Sequence, residues 1–183
     1  VEGSLISCLD ETKTASGARL LKQRVIEPFY RIEQIQDRYN LINWILENNI
    51  NISQYQTDFE SIPDLERSLS RISLSRGGPR DLLLMSKGLL IIKGIYEKLI
   101  SNNQVKSISS LLNVIIDNLN IDYSLFSNIK NAFKTDVPLI VKEGNFIKEG
   151  FHKELDSLRN FRNNELEFIA KLQKKYSELT KVN

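Results

Sequence analysis

The residues best suited to catalysis or metal binding are scarce in this chain, which has one histidine, His152, and one cysteine, Cys8. Glu149 and His152 have the Glu-x-x-His spacing of di-iron helical bundles, because residues three apart share a helix face. Such a site needs a second histidine, and Gly150 places Glu149 before the following helix, so we expect no metal site. A Ser-His-Asp triad could be built only on His152, and a lone cysteine is most often a small buried residue. Composition therefore disfavours an enzyme.

A glycine-rich segment, Arg76-Gly77-Gly78-Pro79-Arg80-Asp81, precedes a strongly apolar pattern. A glycine turn leading into a helix N-terminus can hold an anion through free N–H groups. The segment lacks Gly-Lys-Ser/Thr, however, and no strand precedes it. A corner between two helices explains the glycines and the proline without a ligand, so we favour the corner over phosphate binding.

A small basic patch is predicted near the end of the chain. Lys171, Lys174 and Lys175 are spaced i, i+3 and i+4, so they share one face of a helix, and Lys181 follows. Lysines on one face attract a phosphate backbone without sequence preference and in a salt-sensitive way. The same helix carries three glutamates, and a charge run is usually a solvated face. We name the four lysines as candidate nucleic-acid-binding residues.

Composition indicates one folded domain. The 183 residues are 41% hydrophobic and 26% charged, with a formal net charge of +2 and a mean hydropathy of -0.27. These values exclude a membrane protein and a typical disordered chain, and the charge demands no nucleic-acid partner. No signal peptide or membrane span is evident, and one cysteine excludes a disulfide framework, so we expect a cytoplasmic protein. The chain starts at Val1 without methionine and ends inside a helical pattern, so we expect an excised piece.

The hydrophobic periodicity predicts a mainly α fold: a multi-helix bundle with one small β-hairpin and a long C-terminal lever helix. Helices are expected over about 15–26, 32–46, 79–100, 104–119 and 122–133, with another opened by Ser61 and Pro63. The helix after Pro79 is apolar on most faces and should be central. Asp122 is the expected N-cap of the helix over 122–133. Segments 137–141 and 146–147 are the expected strands of the hairpin, joined by a tight turn at 143–145.

Two helices carry apolar stripes that we expect to be packing faces. The helix over 32–46 shows Ile32, Ile35, Tyr39, Ile42 and Leu46 at three- and four-residue steps. In the helix over 122–133, the inward residues should be Leu125, Phe126, Ile129 and Phe133. The last helix, after Gly150, should be about 28 residues and about 42 Å long at 1.5 Å per residue. Its distal stripe, Leu166, Ile169, Leu172, Tyr176 and Leu179, should outrun the core and be available for self-association.

Three ordered motifs resemble the helical core of the MutS family of DNA mismatch-repair proteins. The first is the segment 3–14 followed by Gly17-Ala18-Arg19-Leu20-Leu21-Lys22 and Pro28. The second runs from Asp64-Leu65-Glu66-Arg67 through Arg71-Ile72-Ser73-Leu74 to Pro79-Arg80-Asp81-Leu82. The third is the segment 141–151 followed by Glu154-Leu155-Asp156 and Leu158-Arg159. The ordered set frames nearly the whole chain.

This resemblance implies the core or lever domain, which connects the ATPase end of the family to a clamp on the DNA. Residues 1–160 would form the helical core, and 161–183 the end of the long helix leading toward the missing clamp. The family's Phe-x-Glu wedge and P-loop do not occur in this sequence, so the resemblance assigns no catalytic residue and no cofactor here. ATP and Mg²⁺ would belong to the ATPase domain of the parent protein. The implied partners are the other domains of the parent and, through the adjacent clamp, duplex DNA, in a bacterial cytoplasm without membrane association.

Several alternatives stay open at this point. Arg19, Arg67 and Arg71 can pair with nearby carboxylates such as Asp64 or Glu66, or meet the absent domains. A free-standing helical interaction module, whose long helix forms a coiled coil with a partner, is the alternative function. An enzyme with its site at the corner over 76–81 is a third hypothesis.

Overall fold

The fold is helical throughout the part of the chain that the computed structural model describes, residues 3–47, 52–101 and 110–180. The helices are α1 (Leu5–Leu9), α2 (Ala15–Ile26), α3 (Ile32–Glu47), α4 (Ile52–Glu60), α5 (Leu65–Ser73), α6 (Pro79–Ser101), α7 (Ser110–Leu119), α8 (Ser124–Ala132) and α9 (Lys153–Thr180). A short 3-10 turn spans Val141–Glu143. The mainly α prediction is confirmed.

Helix α6 is the central element, as its apolar sequence predicts. It packs against α4, α5, α7 and α8, and it buries Leu83, Ser86, Gly88 and Ile95. The Ser86 hydroxyl is fully buried and donates to the Leu82 carbonyl at 2.9 Å, so no polar group there is left without a hydrogen bond. Helix α6 therefore provides the frame on which the shorter helices are placed.

A second apolar cluster joins α3 to α7. Trp44 and Leu112 are buried at its centre, with Leu41, Ile45 and Ile116 packed around them. The buried side of α3 is therefore not the predicted stripe. Most of that stripe is exposed, and the reason is that α3 is apolar on two opposite sides, of which α7 covers only one.

The predicted β-hairpin is wrong, because the described residues contain no strand. Val141–Glu143 form a 3-10 turn that the Gly144 N–H closes by donating to the Val141 carbonyl at 3.0 Å. Phe146 instead joins the end of α8, where its carbonyl accepts from the Lys134 N–H at 2.9 Å. The Leu139 carbonyl instead lies against Gly78, where a Cβ would come within 2.3 Å of it. The backbone at Leu139 thus lies against the α5–α6 corner, while the side chains of Leu139, Ile140 and Val141 are exposed.

Two helix starts also differ from the predictions. Helix α5 begins at Leu65 with Asp64 as its N-cap, whose side chain accepts from the Arg67 N–H, so Ser61 and Pro63 lie before the helix. Helix α8 begins after Tyr123, since Asp122 accepts from the Ser124 N–H and hydroxyl in a local turn. The predicted start of α7 near residue 104 lies outside the described residues.

Helix α4 and the burial within α8 complete the differences. Helix α4 was not predicted, because its polar residues obscure the apolar positions Ile52, Tyr55 and Phe59. In α8 the predicted inward residue Leu125 is 60% exposed, whereas Phe133, just after the helix, is buried and packs edge-on against Phe146. The spacing of three to four residues predicted helix α8 correctly, but the prediction that Leu125 faces inward is wrong.

The chain forms two compact units, Val1–Phe146 and Ile147–Asn183. The second unit contains α9, whose 28 residues give a length of about 42 Å at 1.5 Å per residue. This helix matches the predicted length. The proposed division into a core over 1–160 and a clamp-proximal segment over 161–183 is a functional boundary and stays a prediction.

Candidate functional site

The corner between α5 and α6 is closed by the protein's own carboxylate. Asp81 Oδ2 accepts from the Gly78 N–H at 3.0 Å and from Arg71 Nε at 3.2 Å. A second Arg71 nitrogen donates to the Arg76 carbonyl at 3.3 Å. The helix N-terminus that could hold an external anion is therefore occupied by Asp81, as expected of a helix-to-helix corner.

The two glycines of the corner are needed for close approach. A Cβ on Gly77 would come within 2.8 Å of the backbone of Ile72, and one on Gly78 within 2.3 Å of the Leu139 carbonyl. Real Cβ atoms do not tolerate such distances, so any other residue would force the backbones apart. Ser75, ahead of them, has a positive φ of 56° and ends α5. Glycine thus serves packing rather than ligand binding.

A second ionic junction ties α2 to α5. Arg19 Nε donates to Glu66 Oε2 at 2.8 Å, and its two terminal nitrogens donate to Asp64 at 2.9 and 2.7 Å. The hydrogen bonds from Arg19 hold the pKa of Asp64 below its usual range, and Asp64 and Glu66 raise that of Arg19. Arg19 and Arg71 therefore pair with carboxylates of this chain. The Arg67 side chain makes no ion pair with any residue the structure describes.

The entrance to α9 is fixed by Asp156 and Arg159. Asp156 accepts from the Gly150 N–H at 2.7 Å and from Arg159 at 3.0 Å, and Arg159 also donates to the Ile147 carbonyl at 2.9 Å. Gly150 has a φ of +83°, a conformation that glycine adopts without strain. His152 Nδ1 accepts weakly from the Leu155 N–H at 3.4 Å, which is a local helix-start contact. The hydrogen bonds of Asp156 and Arg159 thus hold the loop over 147–150 against the first turns of α9.

The predicted basic residues lie on one exposed face of α9. Lys171, Lys174 and Lys175 are all solvent-exposed, and none makes an ion pair with a described residue. Glu167 and Glu178 lie four residues before Lys171 and four after Lys174, so they share this face. The patch therefore has a local charge of about +1 rather than +3, which weakens its attraction for phosphate. Lys181 lies outside the described residues.

The predicted distal stripe of α9 is largely exposed within this chain. Ile169, Tyr176 and Leu179 are 49%, 60% and 69% exposed, and Leu172 is half-buried. The side chain of Leu166 lies outside the described part. Exposure of this kind is what a covering partner would require, and self-association through the stripe stays a prediction.

Sequence reasoning missed a polar cavity beside the corner. It has a volume of about 210 Å³, and Arg80, Lys87, Thr135 and Asp136 line it together with apolar side chains of α6. No motif predicts it, because its two sides come from segments far apart in the sequence. Two cations and one carboxylate can receive an anion, but no histidine lines this cavity to activate the Thr135 hydroxyl as a nucleophile. The corner enzyme hypothesis gains nothing from it.

Among the described residues, the remaining chemistry is sparse. No cluster of three or more histidine, cysteine or acidic side chains is placed to hold a metal ion in residues 3–47, 52–101 and 110–180. Cys8 is exposed, so the expectation of a buried cysteine is wrong: α1 has no buried residue. No helix in the same ranges is long and apolar enough to cross a bilayer.

These features define a helical domain in which the ion pairs Arg19–Asp64 and Arg71–Asp81 join neighbouring helices. The family model for MutS domain III matches residues 1–182. The chain is 33% identical over 181 residues to the DNA mismatch repair protein MutS of Bartonella tribocorum, covering 99% of this chain and 20% of that protein. It is 35% identical over 181 residues to the MutS protein of a Ruegeria species, with the same coverage of 99% and 20%.

The chain therefore belongs to the MutS family of DNA mismatch-repair proteins and corresponds to their domain III. The resemblance carried by the three motifs is confirmed. The chain spans about a fifth of the length of the curated relatives it matches. Residues of those motifs, among them Arg19, Asp64, Arg71, Asp81 and Asp156, are the same ones that form the three ionic junctions.

Proposed function

We propose that this chain is the non-catalytic core and lever domain of a MutS-type mismatch-repair protein, coupling an ATPase domain to a clamp on duplex DNA. The observation that carries the proposal is the set of ionic junctions at Arg19–Asp64, Arg71–Asp81 and Asp156–Arg159. The Arg71–Asp81 and Asp156–Arg159 junctions each fix a turn of the chain that would otherwise act as a hinge, and the Arg19–Asp64 junction ties α2 to the start of α5. A domain that transmits force needs such fixed corners, because a soft corner absorbs displacement.

The long helix α9 is the proposed strut. A continuous helix transmits displacement along its axis, and the Asp156–Arg159 junction fixes its first turns to the preceding loop. ATP and Mg²⁺ belong, in this proposal, to the ATPase domain of the parent, and the clamp follows the end of α9 with residues 161–183 leading to it. The free-standing interaction module is less well supported, since the relatives are about five times longer than the matched region.

The coupling role can be tested in the full-length parent with Arg159→Gln. This variant removes the bonds from Arg159 to Asp156 and to the Ile147 carbonyl but keeps a polar side chain. We expect basal ATP turnover to be unchanged and its response to mismatched DNA to decrease. Lys153→Gln, at the exposed first residue of α9, is the control and should leave the response intact. Equal responses of wild type and Arg159→Gln, with folding verified, would contradict the proposal.

The basic face can be tested with this chain by fluorescence anisotropy on duplex DNA across a salt series. We propose weak contacts of Lys171, Lys174, Lys175 and Lys181 with phosphate. Four lysines give a slope of at most about -3.6 in log K against log salt, and the neighbouring glutamates should reduce its magnitude further. The triple change of Lys171, Lys174 and Lys175 to Ala should abolish binding.

A matched triple variant controls for net charge. Lys22, Lys142 and Lys153 are exposed and lie on different parts of the chain, so changing them to Ala removes the same charge without touching the face. Binding should then persist. Equal loss in both triple variants would mean that only total charge matters, and preference for a mismatch would contradict the assignment, because phosphate contacts carry no sequence information.

A further inference from the structure

Helix α3 has a second apolar side that no described element covers. Ile32, Tyr39, Ile42 and Leu46 are 76%, 59%, 51% and 65% exposed. We call these four residues the outer stripe. The opposite side of the helix holds Trp44 in the core with α7. A helix that is apolar on two opposite sides is normally packed between two layers.

The outer stripe has the dimensions of a helix-packing surface. From Ile32 to Leu46 it runs about 21 Å at 1.5 Å per residue. Its members recur at spacings of three, four and seven residues, which form a continuous ridge along one helix face. Four large apolar side chains at its centre fit a protein partner better than nucleic acid, whose interfaces are more polar.

One edge of the stripe is basic. Arg31 and Arg38, seven residues or about two turns apart, lie alongside Ile35 and Ile42. The Arg38 guanidinium stands 4.4 Å from the centre of the Phe29 ring, and that of Arg31 5.8 Å from the centre of the Tyr30 ring. Each arginine thus faces an aromatic ring, and neither has a carboxylate within ion-pair distance in the described part of the chain.

A third arginine lies close to this edge. Burial and the nearby Arg38 charge lower the pKa of Arg24, on the last turn of α2. Two neighbouring guanidinium groups repel each other, and an incoming carboxylate would relieve that repulsion. The opposite edge of the stripe is polar and includes Gln36 and Glu47. The surface therefore has a defined charge polarity across its width.

We propose that the outer stripe and its arginine edge form a docking surface for an amphipathic helix of the parent chain that lies outside these 183 residues. That helix carries an apolar ridge with acidic residues about seven positions apart along one edge. The inference rests on the proposed function, since both require a longer parent. A segment of the same chain is favoured over a second copy because the relatives are about five times longer, and a linked partner has a high effective concentration.

Alkylation of an introduced cysteine tests this proposal. Ile42→Cys places a thiol in the centre of the stripe, and Glu33→Cys places one at an exposed position of α3 outside the stripe as a matched control. Both are alkylated in the 183-residue chain and in the full-length parent, without DNA or nucleotide, and read by peptide mass spectrometry. The thiol at position 42 should react at least about tenfold more slowly in the parent, because it reacts only when the surface opens. The control thiol should react at similar rates in both.

Charge reversal identifies the occupant. Arg31→Glu or Arg38→Glu should restore fast alkylation at position 42 in the parent, and circular dichroism checks that each variant folds. Equal rates for Ile42→Cys in the parent and in the isolated chain would overturn the proposal. Protection that depends on the concentration of the isolated chain would assign the surface to a second copy, and protection only on adding duplex DNA would assign it to nucleic acid; either result also overturns it. The alkylation rate does not depend on ATPase coupling. Failure of the docking proposal can therefore be told apart from failure of the proposed coupling function.

Discussion

Two glycines in helix α6 should respond oppositely to the same substitution. Gly88 is buried where the start of α5 crosses α6, and a Cβ there would stand 2.6 Å from Leu65 Cδ2, 3.0 Å from Pro63 Cδ and 3.2 Å from Pro63 Cγ. At Gly94, in the same helix, a Cβ would meet nothing within 4 Å. The pair separates helix propensity from packing, because both glycines lie in the interior of one helix.

The expected magnitudes follow from those distances. Gly→Ala in a helix interior adds about 1 kcal/mol through propensity, so Gly94→Ala should raise the free energy of unfolding by about 0.5–1 kcal/mol. At Gly88 the same gain in helix propensity is opposed by steric repulsion, because the distances from the new Cβ to its neighbours are well below the carbon–carbon optimum of about 3.5–4.0 Å. Leu65 can rotate but the Pro63 ring is rigid, and overpacking costs about 1–3 kcal/mol. Gly88→Ala should therefore be net destabilising by about 1 kcal/mol.

The assay is urea unfolding of the 183-residue chain followed by circular dichroism. The two variants should differ by about 2 kcal/mol, or about 4–8 °C in Tm for a chain of this length, with unchanged m-values. In a Leu65→Ala background the penalty for Gly88→Ala should shrink, because the closest contact is gone. If Gly88→Ala stabilises the chain as much as Gly94→Ala, then α5 does not approach α6 as closely as the structure shows, and the reasoning is refuted.

Three further predictions concern the junctions. Because Arg19 depresses the pKa of Asp64, folded Asp64 titrates below its unfolded value of about 3.9. The contribution of Asp64 to the free energy of unfolding is present above about pH 4 and is lost as the pH falls through the folded pKa. Urea unfolding should therefore show Asp64→Asn less stable than wild type at pH 7 and equally stable in acid. Asp81→Ala removes the acceptor of the Gly78 N–H and should lower the unfolding free energy by about 1 kcal/mol, measured in the same assay. Gly78→Ala meets a backbone carbonyl at 2.3 Å and should destabilise more than Gly88→Ala in a thermal scan; a smaller loss would contradict the close approach.

Local signals in the sequence predicted the helices well wherever a cap or a breaker was present. Pro79 marked the start of α6, and α2 and α9 have the expected extents. One error occurred where a polar residue had two possible roles, and another where a segment had strand propensity. Asp122 bonds to Ser124 in a local turn rather than capping α8, since aspartate stabilises either conformation. The residues over 137–141 have strand propensity, but propensity for a strand depends on a neighbouring strand, and here the neighbour is a helix corner.

The residues of the site were predictable from the sequence, which left open whether Arg19 pairs with Asp64 or Glu66 or meets another domain. Resemblance to the family singled out Arg19, Arg71 and Asp81, but only the fold shows that Arg19 reaches Asp64 and Glu66 on another helix. Such pairs depend on how helices cross, which periodicity does not encode. The polar cavity at Arg80 was missed for the same reason. Spacing can predict only which residues share one face of a helix, such as the three lysines of α9.

The exposed apolar stripe of α3 shows a deeper limit of periodicity. Hydrophobic spacing predicts that a helix face will be buried, but it does not say whether the covering atoms belong to the same chain segment. The stripe from Ile32 to Leu46 was expected to pack inside this domain, and the domain instead buries Trp44 on the other side. Both sides have a reason to be apolar if α3 lies between this core and another part of a longer protein. The erroneous assignment and the proposed docking surface thus have one physical cause, and the alkylation rate at position 42 tests both.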